Sequence, residues 1–274
     1  MKNNRISKIS TLHYYKLVFR SLLFLAATAV YVVNWLMGIK IDLFGRVEEL
    51  PWLMAVIWVV YAVEMVLRFF PSKLESMGCQ KQFVRNYRSK LAEGERARLN
   101  TAKTTFMVAA SWIALNGIIG ILFFARVFDE GILLLISLFY GVCDMICILF
   151  FCPFQTWMMK NKCCGTCRIY NWDYAMMFTP LVFIRSGYTA SLVALSVLLL
   201  VRWELAVYLH PEFFCEEAND SLSCANCSEK LCHHKKQLRR FWKQSGQRFQ
   251  LAGNQILTTA GEVKQKIQQR IEQK

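Results

Sequence analysis

The feature that most constrains this chain is a series of apolar stretches, each about as long as a bilayer is thick. Four qualify by length: Leu17–Met37, Leu50–Phe70, Thr104–Arg126 and Ile132–Cys152. A helix needs about 20 mainly apolar residues to cross the hydrocarbon core, and backbone in lipid must satisfy its own hydrogen bonds. The stretches therefore predict four transmembrane helices in an all-α, polytopic bundle.

A further apolar region, residues 169–209, is too long for a single crossing. As one helix, residues 175–209 would measure about 52 Å at 1.5 Å per residue, and polar residues interrupt the region near Gly187. We favour two short crossings, Ile169–Arg185 and Tyr188–Leu209, which give six spans. The alternatives are one crossing, which gives five spans, and a re-entrant first half.

Basic residues alternate along the connecting segments. Residues 1–20 hold five bases and no acid, and residues 71–103 hold eight bases and three acids, whereas residues 38–49 hold two bases and three acids. Because Lys and Arg concentrate on the cytoplasmic side, this predicts a cytoplasmic N-terminus. Six spans would also return the basic C-terminal tail to the cytoplasm. In a bacterium the membrane would be the plasma membrane.

The basic residues behind the net charge of +14 lie mainly in the segments that flank the apolar stretches. We therefore expect contact with the bilayer and its anionic headgroups, and not with nucleic acid, for which no recognised motif occurs.

Cysteines after the fourth stretch form the main candidate site. Two Cys-x-x-Cys pairs stand out, and the residues we expect to act together are Cys163, Cys164, Cys167, Cys224, Cys227 and Cys232. Stable disulfides are uncommon in a reducing cytoplasm, so such pairs indicate metal ligands or redox dithiols. Four thiolates suit Zn²⁺ and also hold iron–sulfur clusters, with zinc the simpler choice.

The site depends on topology, because its two pairs lie about 60 residues apart and must share one side of the membrane. If the tail lies outside instead, its cysteines would form disulfides. Cys143 and Cys147, on the fourth apolar stretch, are expected to pack as small hydrophobes.

Charged residues inside the apolar stretches form a second candidate site. Glu64 and Arg68 lie four residues apart and predict a pair on one helix face. Asp144 is expected to face the bundle interior, because a carboxylate in lipid costs about 2.5–3.5 kcal/mol. With the predicted orientation all three lie in the cytoplasmic half. They indicate either an ion path or an interhelical salt bridge.

The predicted organisation is a basic N-terminus (1–16), a helical membrane domain (17–209), a cysteine-rich segment (210–234) and a tail (235–274). Apolar residues recur at helical spacing in the tail beside many bases. This pattern is typical of an amphipathic helix that adsorbs to anionic lipid or pairs with a partner helix, including one from a second copy.

Three functions follow as hypotheses. The first is a membrane protein of unknown substrate whose cytoplasmic cysteines hold a structural or sensing metal. The second is a membrane oxidoreductase that uses a dithiol or an iron–sulfur cluster. The third is a small ion or metal transporter that uses the intramembrane carboxylates.

Overall fold

A computed structural model of the protein describes residues 8–37, 51–70, 86–90, 101–160 and 167–223. Its α-helices in these ranges are α1 (Lys8–Leu36), α2 (Pro51–Phe69), α3 (Ala102–Phe124), α4 (Glu130–Leu149), α5 (Asp173–Phe178) and α6 (Gly187–Leu209). Short 3₁₀ turns cover Arg168–Trp172, Thr179–Phe183, Pro211–Phe213 and Asp220–Leu222, and a π-helical turn covers Phe154–Met158. These ranges contain no strand, so the all-α prediction is confirmed for them. The predicted tail helix and most of the cysteine-rich segment lie outside them.

Four of the helices are long and apolar enough to cross a membrane: Thr11–Val33 within α1, and the whole of α3, α4 and α6. Most of their residues are not buried inside the bundle, as expected when the surrounding solvent is lipid. The first candidate span begins six residues before the predicted Leu17. The N-terminal residues continue the helix although they include Lys16 and Arg20, because the bundle supplies partners for both.

The region predicted as a helix over Ile169–Arg185 is a broken segment, residues 168–183, in which α5 is flanked by two 3₁₀ turns. Pro180 explains the second turn, because proline has no N–H to continue an α-helix. The chain then becomes extended at Ile184 and Ser186, and α6 begins at Gly187, where the sequence predicted an interruption.

The two ends of the broken segment contact different ends of the bundle. At its start, the side chains of Arg168 and Trp172 bond to Glu204, near the C-terminal end of α6. At its finish, the ring of Phe183 packs against Phe124, the last residue of α3. The segment thus runs along the neighbouring helices instead of lying across them.

The hydrophobic core lies where α2, α4, the broken segment and α6 meet. Its buried members include Met65, Leu133, Tyr174, Phe178, Leu199 and Trp203. Helix α1 packs chiefly against α4 on the side of this core.

Gly120 provides a test of how closely α3 packs against the broken segment. A Cβ at Gly120 would lie 2.6 Å from the ring of Phe183, whereas a Cβ at Gly117 would meet nothing within 4 Å. We expect Gly120→Ala to destabilise the protein by about 1–3 kcal/mol through overpacking. The matched control Gly117→Ala should be neutral or slightly stabilising, since alanine favours helix. Thermal unfolding in detergent measures both, and equal midpoints for the two variants would contradict this packing.

Candidate functional site: a buried charge cluster beside a cysteine-lined cavity

Arg20 occupies the centre of a group of charged side chains inside the bundle. Only 4% of its side chain is exposed. One guanidinium nitrogen donates to the carbonyl of Gly141 and to Asp144 Oδ2, each at 3.1 Å. The other donates to Glu64 Oε2 at 3.0 Å. The guanidinium also lies 5.7 Å from the ring centre of Tyr61. Arg20 therefore joins α1 to both α2 and α4.

Glu64 receives hydrogen bonds from three side chains. Besides Arg20, Lys16 Nζ lies 3.0 Å from Glu64 Oε1, and the Tyr174 hydroxyl donates to Oε2 at 3.0 Å. These donors come from α1 and α5, so the carboxylate is held from two directions. Three charge-assisted hydrogen bonds stabilise its ionised form in a place where few waters can reach it.

Arg68 makes a second connection, from α2 to α5. It pairs with Asp173, and its guanidinium lies 5.2 Å from the ring centre of Tyr174 and 5.9 Å from that of Tyr170. The sequence predicted pairing of Arg68 with Glu64 along α2. The structure gives each of them a partner on another helix, and their pairing with each other stays a prediction.

We call Lys16, Arg20, Glu64, Arg68, Asp144 and Asp173 the charge cluster. It contains three bases and three acids, so its formal charge is zero when all are ionised. Removing charges from water costs several kcal/mol for each ion, and the close pairing offsets this cost. The geometry therefore supports a fixed polar junction of α1, α2, α4 and α5.

Three members of the charge cluster were not among the predicted intramembrane residues. Lys16 and Arg20 were counted only toward the orientation of the chain, and Asp173 was not singled out as a candidate site residue. A signal for Arg20 was present, because it is a base inside the predicted span Leu17–Met37 and needs an acidic partner there.

A cavity of about 120 Å³ lies beside the charge cluster. It is lined by two of the cluster's carboxylates, four cysteines, four aromatic residues, two methionines and other side chains, namely Asp144, Asp173, Cys143, Cys147, Cys152, Cys167, Trp112, Tyr140, Phe154, Tyr170, Met176, Met177, Ile148, Ile169 and Gln155. Its walls are thus mainly apolar and unusually rich in sulfur.

The four thiols reach the cavity from three parts of the chain. Cys143 and Cys147 lie one turn apart on α4, so they face the same way. Cys152 was predicted on the same helix but follows its end, because Pro153 disfavours α-helix at the residue before it. Cys167 precedes the broken segment and is 3% exposed.

The thiols of Cys147 and Cys152 line the same cavity and lie near enough to interact with each other. The Cys152 sulfur also accepts a hydrogen bond from the backbone N–H of Gln155 at 3.4 Å. Within the described ranges, no three His, Cys, Asp or Glu side chains are already arranged to hold one metal ion. Cys143 and Cys147 were expected to pack as small hydrophobes. Both also line the cavity, so packing does not account for all of their surroundings.

Most of the predicted metal ligands lie outside the described ranges. Cys167 is described, whereas Cys163, Cys164, Cys224, Cys227 and Cys232 are not. The predicted joining of the loop and tail pairs stays a prediction.

Comparison of the chain with family models, with curated proteins and with solved structures finds no match.

Proposed function

We propose that this chain is a six-span integral membrane protein, with both termini in the cytoplasm, that binds a thiophilic metal ion in a structural or sensing role. The observation that carries the proposal is that Cys143, Cys147, Cys152 and Cys167 line one cavity. Thiolates are preferred ligands of soft and borderline metal ions. The contacts of the broken segment and of residues 210–223 support the topology.

The length of the broken segment favours a full crossing over a re-entrant turn. A 3₁₀ helix rises about 2.0 Å per residue and an α-helix about 1.5 Å. Ten 3₁₀ residues and six α-helical residues therefore extend roughly 29 Å, close to the thickness of the hydrocarbon core, about 30 Å. The irregular backbone is tolerable because it is buried in protein and faces a cavity.

Contacts after α6 also favour a crossing by the broken segment. The backbone N–H of Lys90 donates to the carbonyl of Ala218 at 2.9 Å, and that of Asp220 donates to the carbonyl of Arg88 at 2.8 Å. Asn219, fully buried, donates to the carbonyl of Phe213 at 3.1 Å. Residues 86–90 belong to the link between α2 and α3, so the end of α6 lies on the same side as that link.

This arrangement supports one side for the cavity cysteines and for Cys215. In this proposal the thiol-lined end of the cavity, the α2–α3 link and residues 210–223 face the cytoplasm, and the cytoplasmic side of Cys224, Cys227 and Cys232 stays a prediction from the sequence. The basic tail would lie against anionic headgroups of the same leaflet.

The donor set fits a metal in part. Cys147 and Cys152 lie near each other on the cavity wall, but a tetrahedral zinc site needs four ligands. The additional ligands would come from Cys143 or Cys167 after a change of side-chain rotamer, or from Cys163 and Cys164, which precede Cys167 in the chain.

Metal analysis of detergent-purified protein tests the proposal. We expect close to one equivalent of metal per chain, lost in the double variant Cys147→Ser/Cys152→Ser. Cys215→Ser is the matched control, because Cys215 is a half-buried thiol outside the cavity lining. The double variant Cys224→Ser/Cys227→Ser shows whether the tail contributes ligands. Less than a few tenths of an equivalent in the wild type would rule out a resident metal.

Two alternatives each have one supporting observation. The nearness of the Cys147 and Cys152 thiols on the cavity wall favours a dithiol oxidoreductase, in which case thiol counts would change on treatment with reductant. The position of Asp144 and Asp173 on the cavity wall favours a cation transporter. That function would depend on the carboxylates more than on any thiol.

A further inference from the structure

The sulfur atoms of the cavity include thioethers as well as thiols. Met176 and Met177 both line it. The sulfur of Met177 packs against α4, where a Cβ on Gly141 would lie only 2.9 Å away. Met176 is half-buried. Zinc sites in proteins use thiolate, imidazole and carboxylate ligands, whereas Cu(I) also accepts thioethers.

The number of available ligands also distinguishes the metals. Within the described ranges no three His, Cys, Asp or Glu side chains are already arranged to hold one ion, but Cys147 and Cys152 line the same cavity near enough for their thiols to interact. Zinc in a structural site takes four ligands. Cu(I) is a softer ion that sulfur ligands alone can satisfy, at a lower coordination number.

The charge of the ion agrees with this distinction. The cavity walls are mainly apolar, and the two acids on them already pair with Arg20 and Arg68. Burying charge in apolar surroundings is costly, and a monovalent cation demands less compensation than a divalent one.

We infer that the metal of the proposed function is Cu(I), held by the thiolates of Cys147 and Cys152 with the thioether of Met176 as a third donor. This inference rests on the proposed function. On binding, two S–H bonds break and two S–Cu bonds form. The two protons pass to the solvent, and no electron is transferred.

Competition titrations on the full chain in detergent test the inference. Under anaerobic, reducing conditions, Cu(I) is titrated against a chromophoric Cu(I) chelator, and Zn²⁺ is titrated separately against a chromophoric zinc chelator. We expect one equivalent of Cu(I) and much weaker zinc binding. Cys147→Ser and Cys152→Ser should each weaken Cu(I) binding more than about 100-fold, beyond the loss typical of outer partners. Met176→Leu should weaken it by about 10-fold.

Controls and a second measurement keep a folding defect separate from a ligand defect. Cys215→Ser and Met107→Leu, a methionine on α3 that is 50% exposed, should bind Cu(I) like the wild type. X-ray absorption of the copper-loaded wild type should show sulfur neighbours only. A first shell of nitrogen or oxygen would overturn the inference without any variant.

The outcomes separate the inference from the proposed function. Cysteine-dependent zinc binding without Cu(I) binding would overturn the copper assignment and leave the metal-binding proposal standing. Cu(I) binding that survives Cys147→Ser/Cys152→Ser but is lost in Cys224→Ser/Cys227→Ser would move the site to the tail and also overturn the inference. If the protein binds neither Cu(I) nor Zn²⁺, both the copper assignment and the metal-binding proposal are wrong.

Discussion

Replacing Arg20 by methionine should destabilise the protein by about 3–5 kcal/mol, the usual cost of breaking a buried ion pair from one side. The variant keeps the side chain's length and apolar stem but removes the bonds to Glu64, Asp144 and the Gly141 carbonyl. The large effect arises because the partner carboxylates stay behind in a place of low solvent access. Thermal or denaturant unfolding in detergent, followed by size-exclusion chromatography, measures it.

Two further variants show whether the loss comes from unpaired charge. Lys16→Met removes a base whose side chain is 28% exposed, so it should cost no more than about 1 kcal/mol. Adding Glu64→Gln and Asp144→Asn to Arg20→Met should restore much of the lost stability, since apolar or neutral replacement of a whole buried ion group is often tolerated. Equal unfolding midpoints for Arg20→Met and Lys16→Met would show that the charge cluster contributes little to stability.

The apolar stretches could be predicted because lipid imposes their length and composition locally. Three of the four stretches first identified match candidate spans of the structure, and the fourth candidate span, α6, matches the last predicted crossing. The partners of Arg20 could not be predicted in the same way. They lie 44 and 124 residues away along the chain. Helix packing decides which helices face α1, and a single sequence does not reveal that packing.

For the cavity, too, local features could be predicted from the sequence, whereas contacts between distant parts of the chain could not. The spacing of Cys143 and Cys147 placed them on one helix face, and Pro153 predicts an end to α4 before it. That Cys167, which precedes the broken segment, lines the same cavity as the cysteines of α4 depends on how the broken segment packs against α4. The broken segment itself was predicted as a plain helix, because a run of apolar residues does not reveal a change from α to 3₁₀ geometry.

Labelling with a membrane-impermeant maleimide should give an all-or-none result on intact cells. In the six-span topology every native cysteine lies in the cytoplasm or in the cytoplasmic half of the bundle, so the wild type should remain unlabelled until the cells are lysed. Gly187→Cys should be labelled in intact cells. Gly187 is exposed at the start of α6, and a Cβ there meets nothing within 4 Å, so the new thiol should be reachable and harmless.

Ser89→Cys is the matched control on the opposite side, because Ser89 is exposed in the α2–α3 link. It should react only after lysis. The five-span alternative gives a different pattern: Cys215, Cys224, Cys227 and Cys232 would all lie outside, and the wild type itself would be labelled in intact cells. The backbone bonds between residues 86–90 and 218–220 make that pattern incompatible with a cytoplasmic α2–α3 link. Labelling of the wild type before lysis would therefore place the α2–α3 link outside the cell as well. It would also place the tail thiols outside, where they could not belong to a cytoplasmic metal site.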